Sequence, residues 1–371
     1  MLIVQKLYIK DFLRVFLILG LGISLLFSII GFIDRFDELM PGNPSVFVLF
    51  KYIAFHVPKY LSFVMPMAIL LSALFIFTQA KSRREIVAIK GAGGKINRIM
   101  SPFLIIGILM SLIGFFLSEI VVPVLSKEIS SIKKQLSKKD SRIVFREGTV
   151  FMKGKEGAVV RFALYLDDRN LARGVSIYKY DGDGLKEKIE AEIAHWEGRQ
   201  WRLKNVNIFN VSEGSSIYKE DMLSDVIESP KILQKESLKT EEMTIIELLQ
   251  YEKRLHEAGF KNNKLAVDIA SRFSYPLINF FMIILGLSLS TGAEKGLLQK
   301  ILHAKPEGKY LSSGGIIATG FGLIISVVYW VGYTFFLSLG YAGTISPEIA
   351  AWGMPIAYSI CSVYLYRQIP Q

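Results

Sequence analysis

The most regular feature of the chain is a set of six apolar runs, at about residues 12–33, 58–79, 101–123, 266–290, 314–338 and 350–367. Each comes close to the ~20 residues that a helix needs to cross a bilayer core. The second run extends upstream, because 46–55 is apolar apart from Lys51. Pro66, Pro276 and Pro355 lie inside the runs, where neighbouring helices satisfy the backbone groups that proline frees. Between the third and fourth runs the period changes. Ile143–Met152, Val159–Leu166, Gly174–Tyr180 and Trp201–Asn210 alternate apolar and polar residues, as half-buried strands do. Turn residues at Asp167–Asn170, Asp181–Gly184 and Gly198 separate them. From Glu241 to Ala258 the period lengthens again. Met243, Ile246, Leu249 and Leu255 fit one helical face, and Gly259 is a stop signal. The pattern predicts a membrane α-helical protein of six transmembrane helices with an inserted all-β domain, a sandwich or jelly-roll. Residues 1–125 hold helices one to three, 126–264 the β-domain with its connecting helix, and 265–371 helices four to six.

Charge follows the same division. Of the 77 charged side chains among 371 residues, 49 lie between Lys127 and Lys264. The net charge is +11, and the insert's 26 Lys/Arg against 23 Asp/Glu account for only +3 of it. A basic surplus often points to nucleic acid, but here +8 sits beside apolar spans, where it reports topology. The segment Lys81–Arg98 carries six Lys/Arg and one Glu, and the loop at about 291–313 adds Lys295, Lys300, Lys305 and Lys309. With Lys6, Lys10 and Arg367 they make 13 bases on one side, against Arg35 alone in the short loops opposite. The positive-inside rule then predicts both termini in the cytoplasm and the insert outside, since long domains translocate whatever their own charge. The apolar stretch after Lys6, Lys10 and Arg14 is too long for a signal peptide and reads as an uncleaved anchor. Cys361 is the only cysteine, which excludes an internal disulfide and a cysteine metal site.

Catalytic motifs are missing. Gly91-Ala-Gly-Gly-Lys95 lacks the leading glycine of a phosphate loop and is followed by Ile96, so it offers neither the cradle nor the magnesium hydroxyl. There is no HExxH and no GxSxG. The four histidines are scattered, and Asp181-Gly-Asp183-Gly fails the calcium-loop spacing at Leu185. The chain is therefore expected not to be an enzyme, with no metal and no catalytic residues. Glu119, Asp268 and Arg272 are the titratable groups nearest the spans. Each sits near a span end, within reach of the interface, which makes an ion relay a weak reading.

Three constellations remain. Around Arg84, Glu85, Ile86, Ile89 and Lys90, apolar spacing and one acid among six bases fit a short amphipathic helix. It reads either as a basic stop-transfer loop or as a coupling helix for a soluble ATPase. The outer end of the first span, with Phe32, Asp34, Arg35, Phe36, Asp37 and Glu38, reads as a polar helix end or as the border of a lipid-facing cavity. Lys127, Lys133 and Lys134 follow Glu119–Pro123 at the mouth of the third span. Topology does not require bases there, and lysine binds phosphate as a point charge. Alternatively they are the solvated start of the external domain.

In order and spacing, the chain resembles the LptF/LptG permeases, the paired membrane subunits of the lipopolysaccharide exporter. The resemblance rests on Phe32-Ile-Asp34, on Pro58 with Phe63–Leu74, on Glu85–Gly93 as the coupling segment, and on Glu119–Pro123. It continues through Gly174–Tyr178, Trp201–Leu203 and Met243–Pro276. The Asp34 region and the length of the β-domain look closer to LptG than to LptF. The resemblance implies a permease in the bacterial inner membrane. It would pair with a second LptF/LptG-type permease on a dimeric, LptB-like ATPase that binds the ATP and magnesium, with no cofactor in this chain. The cargo would be lipopolysaccharide, passed to LptC/LptA-like periplasmic bridge proteins. Some LptG proteins carry lysines at the outer end of the first helix. Here that place holds acids and only Arg35, so the basic role would fall to Lys127, Lys133 and Lys134, to the partner subunit, or to divalent-bridged contacts through the acids. The residues expected at the lipid are Arg35, Lys127, Lys133, Lys134, Phe32 and Phe36. A lipoprotein or peptide exporter usually has four spans rather than six. A membrane scaffold without transport would lack the ATPase partner.

Overall fold

The computed structural model describes the chain outside residues 1, 95, 137–142, 147–148, 155–157, 167–169, 182–183, 212–213, 228–229, 231–239, 258–260, 292–312 and 370–371. Six helices are long and apolar enough to cross a membrane. They are α1 (Leu2–Ile33), α2 (Val46–Ser82), a third span made of α4 (Ile96–Phe116), a π-turn (Leu117–Val121) and α5 (Val122–Leu136), then α7 (Asn263–Thr291), α8 (Ser313–Tyr341) and α9 (Pro347–Arg367). Shorter helices include α3 (Glu85–Gly91), α6 (Ile245–Glu257) and a single turn at Phe36–Leu39. The second span begins at Val46, where the Ser45 hydroxyl caps the Val48 N–H. The basic loop at about 291–313 lies outside the described residues apart from its ends.

The chain divides into two compact units. One is Met1–Ser137, Glu241–Leu248 and Asn262–Gln371, and the other is Lys138–Thr240 and Leu249–Lys261. In the membrane unit α2 and α7 are central. In their most apolar windows 67% of residues are buried, against 22% in α1, α8 and α9. Lipid tails are as apolar as leucine, so helices associate there through close packing rather than hydrophobic exclusion. Glycines permit it. A Cβ on Gly286 of α7 would stand 2.6 Å from the Ala73 Cβ of α2, and one on Gly340 of α8 would stand 2.4 Å from the Ala350 Cβ of α9. The core they enclose includes Phe12, Met65, Ile69, Leu70, Phe103, Ile278 and Met282.

The second unit contains the expected inserted β-domain. Its sheet has seven antiparallel strands paired in sequence order: β1 (Ile143–Arg146), β2 (Thr149–Lys153), β3 (Val159–Leu166), β4 (Leu171–Asp181), β5 (Gly184–Trp196), β6 (Trp201–Asn210) and β7 (Ser215–Ser224). Among the described residues this is an up-and-down meander, so the jelly-roll expectation narrows to a single sheet with consecutive pairing. The stretch Ile143–Met152 is two strands rather than one, joined in register by Arg146 opposite Thr149.

A row of buried side chains crosses the sheet through Val150, Phe162, Val175, Ala191 and Val206. A second row runs through Ala172, Ala194 and Leu203. The two rows lie three residues apart along each strand, which in a regular strand would put them on opposite faces. The pairing skips one position per strand between them, along Ala163, Gly174, Glu192 and Asn205. Gly174 and Asn205 have φ of 60° and 53°. The register is unchanged across these positions, and both rows enter one core around Trp201.

The helix–helix packing yields a test. Gly286→Val forces α7 off α2, and overpacking of this kind costs about 1–3 kcal/mol. Thermal unfolding of the full chain in detergent should therefore show a lower midpoint. Gly22→Val, where a Cβ meets nothing within 4 Å, should unfold as wild type does. Equal midpoints for the two variants would contradict the packing assignment.

Candidate functional site

Two polar regions stand out, one at each end of α2. At its C-terminal end the chain turns through Arg84, which has a left-handed φ of 58°, into α3. Glu85 opens this helix and Lys90 lies in its last turn, charges that suit the helix dipole. Gly93 ends it with φ of 75°. The Gly94 N–H reaches back to Ile89 O at 2.8 Å and the Gly93 N–H to Lys90 O at 2.9 Å, a Schellman stop that a glycine in this conformation permits. Ile86 and Ile89 pack against the core of the bundle. The sequence singles them out for docking, and in the structure both are half-buried and help to seat the helix. The face left exposed carries Val87 and Ala88, with Arg83, Arg84 and Lys90 around them. Glu85 is half-buried and accepts a 2.6 Å hydrogen bond from the Tyr8 hydroxyl of α1. Tyr8, Val87 and Ala88 are absent from the sequence reading. Only the apolar spacing of α3 could have pointed to the last two.

At the other end of α2, Phe32 belongs to a small core of Leu39, Tyr52, Ile129, Ile132 and Leu136, and its ring meets Phe36 edge-on at 5.8 Å. Phe32 is therefore packed within the protein, while Phe36 and Arg35 are exposed. The Lys51 ammonium lies 4.0 Å from Glu128 and 5.0 Å above the Phe55 ring. Lys59 pairs with Glu241. Lys127, expected at a lipid phosphate, donates to Glu247 Oε1 at 3.2 Å. Lys133 is half-buried on α5, and the Lys134 side chain lies outside the described residues. The structure thus pairs Lys127 with Glu247 in the first turn of α6.

That segment is built locally. Thr244 and Glu247 form a capping box: the Thr244 N–H donates to Glu247 Oε2 at 2.7 Å, and the Glu247 N–H to the Thr244 hydroxyl at 3.4 Å. The buried face of α6 is Leu248, Tyr251 and Leu255. Ile246 and Leu249, placed on that face by the sequence pattern, are exposed instead. The Thr244 cap starts the helix at Ile245, and Leu248 then sets the buried face.

Deeper in the bundle, Glu119 and Arg272 form an ion pair at 2.9 Å, with side chains 7% and 14% exposed. Asp268 accepts a 2.7 Å hydrogen bond from the Tyr341 hydroxyl. The three span-end groups that the sequence reads singly are thus partnered across helices.

Partial burial pushes the Glu247 carboxyl up, but the Thr244 N–H and the Lys127 ammonium outweigh it and hold the group below its ordinary value of 4.5. A lowered carboxyl stabilises the fold above its unfolded value and loses that contribution as the pH falls through its folded value. Wild type should therefore exceed Glu247→Gln in thermal midpoint at neutral pH, and the difference should close in the acid range below 4.5. A difference that stays constant down to acid pH would show that this carboxylate contributes nothing through its charge.

The sequence model of the family described as "Lipopolysaccharide export system permease LptF/LptG" matches residues 6–302. No curated protein matches the chain. The family match runs from the first span through the β-insert and past α7 into the basic loop, and so takes in the α3 turn, the β-domain and the capped segment before α6. The chain belongs to the LptF/LptG family of lipopolysaccharide export permeases.

Proposed function

We propose that this chain is one permease half of an ATP-driven exporter that lifts lipopolysaccharide from the outer leaflet of the bacterial inner membrane. It works beside a second permease of the same family and on a dimeric cytoplasmic ATPase. The termini and α3 lie in the cytoplasm, and the β-domain lies in the periplasm, where it hands the lipid to bridge proteins. The Asp34 region and the length of the β-domain favour the LptG half. The observation that carries the reading is α3 itself. A short helix, closed by a Schellman stop and seated by two isoleucines, presents a small apolar knob ringed by bases within a chain of this family. Topology alone requires only positive charge there. A fixed apolar surface between two spans suits rigid-body transmission from an ATPase.

The energetics explain the need for ATP. Exposing acyl chains to water costs about 0.8 kcal/mol per CH₂, so several chains cannot leave the bilayer unshielded. The apolar side chains of the β-domain core offer matching chemistry, yet Val150, Phe162, Ala172, Ala194 and Leu203 are fully buried. Loading therefore requires the sheet to part from its own core, and a driven conformational cycle can supply that work. An open cleft of about 410 Å³ lies beside Gly174 and Asn205, and its lining mixes Ala163, Val175 and Ala191 with Arg161, Glu190 and Glu192.

Copurification with the ATPase and mass spectrometry of the bound lipid test the reading. Glu85→Arg and Val87→Glu should each weaken ATPase capture by about tenfold, the scale of a lost well-placed contact. The thermal midpoint of the isolated permease should hold for Val87→Glu, whose side chain is exposed. Capture and ATP turnover at wild-type levels in both variants would remove α3 from the interface.

A further inference from the structure

The π-turn Leu117–Val121 is the one interruption of regular helix in the third span among the described residues. A π-turn inserts a residue and shifts the side chains that follow it, and such turns recur at functional sites. Here it brings Glu119 to Arg272 of α7. Both ends of the pair also bind backbone. Glu119 Oε2 accepts from the Ile245 N–H at 2.9 Å. Arg272 Nη1 donates to Ser118 O at 3.0 Å, and Nη2 to Met243 O at 3.2 Å. Met243 and Ile245 flank Thr244, the cap of α6. One buried pair therefore holds the third span, the fourth span and the start of the connecting helix. The contacts between Lys59 and Glu241, Ser130 and Glu242, and Lys127 and Glu247 fasten the same short segment from outside.

Charge neutralisation alone does not explain this geometry. An ion pair out of water gains little over apolar side chains of the same volume. Its directional bonds to Met243 O and the Ile245 N–H are what apolar groups could not provide. We propose that Glu119 and Arg272 are positioning residues: they clamp the Met243–Ile245 segment to the third and fourth spans, so that movement of those spans is delivered to the segment between the β-domain and the fourth span. The role in transport rests on the exporter reading, whereas the clamp can be measured without it.

A single substitution strands a buried charge and risks the fold, so two double variants carry the test. Glu119→Leu with Arg272→Met keeps volume and removes both charges. Glu119→Arg with Arg272→Glu keeps an ion pair but sets a donor against the Ile245 N–H. Hydrogen exchange of the full chain in nanodiscs should show the amides of 241–248 exchanging about tenfold faster in both, the scale of losing one hydrogen bond to a charged group. In the assembled complex, ATP turnover should stay within about twofold of wild type while lipopolysaccharide release to the bridge protein falls about tenfold, the separation expected when a coupling contact rather than the chemical step is lost. Wild-type exchange and release in the apolar variant, or full recovery of both in the charge-reversed variant, would overturn the clamp. So would a parallel loss of ATP turnover and release. A wild-type complex that releases no lipid would count against the exporter reading alone, because exchange at 241–248 still decides the clamp.

Discussion

In a bilayer a helix gains nothing by hiding apolar surface from lipid, so the membrane unit depends on how closely α2 and α7 approach each other. Gly286 removes the side chain that would hold them apart at Ala73, and a Cβ on Gly107 of α4 would meet Ile283 of α7 at 2.9 Å. Around this pair the other helices are attached by one face only. α1 leaves Leu17, Leu21 and Leu25 exposed, and α8 leaves Ile324, Val328, Val331 and Phe335 exposed. These open faces are a consequence of the central pairing. Polar groups inside the unit are partnered in part. The buried Asn279 turns its amide nitrogen toward Met110 O while its Oδ1 has no hydrogen-bond partner, and Ser24, Ser72 and Ser288 bond back to carbonyls of their own helices.

The helices were legible in the sequence because length and apolarity alone define a span. Their ends were less so. The second span does begin at Val46, where the apolar stretch starts and Ser45 caps the helix, but the third continues to Leu136, past the end of its apolar run. In the insert, β3, β4 and β6 follow the alternation. β5 does not announce itself, since Lys186-Glu-Lys188 and Glu190-Ala-Glu192 are good helix formers held in a strand by two neighbours. β7 is an edge strand that is mostly exposed, so no buried face imposes a period. The site divides the same way. The amphipathic character of α3 was readable, but period cannot say which face meets the bundle. The Glu119–Arg272 pair was not readable at all. Its members lie 153 positions apart, and each alone looks like a charge reaching for the membrane surface.

Charge pairing also separates the basic residues at the two ends of α2. Near Val46, Lys51, Lys59 and Lys127 each face an acid, Glu128, Glu241 and Glu247 respectively. Two of those acids come from the short segment before α6 and the start of that helix. Near Ser82, Arg83, Arg84, Lys90 and Arg98 accompany a single acid, Glu85, whose carboxylate is already engaged by Tyr8. A topological signal is an excess of Lys and Arg in short loops, and it survives at the end where acids are scarce. At the other end the same residue type is spent on fastening one stretch of backbone to the spans. Of the lysines at the mouth of the third span, which topology left unexplained, Lys127 is the one whose acid partner lies on that stretch. A phosphate that sought Lys127 would first have to displace Glu247 and loosen the cap of α6. Lipid contact at that place would therefore be coupled to the position of the connecting helix, because the same ammonium serves both.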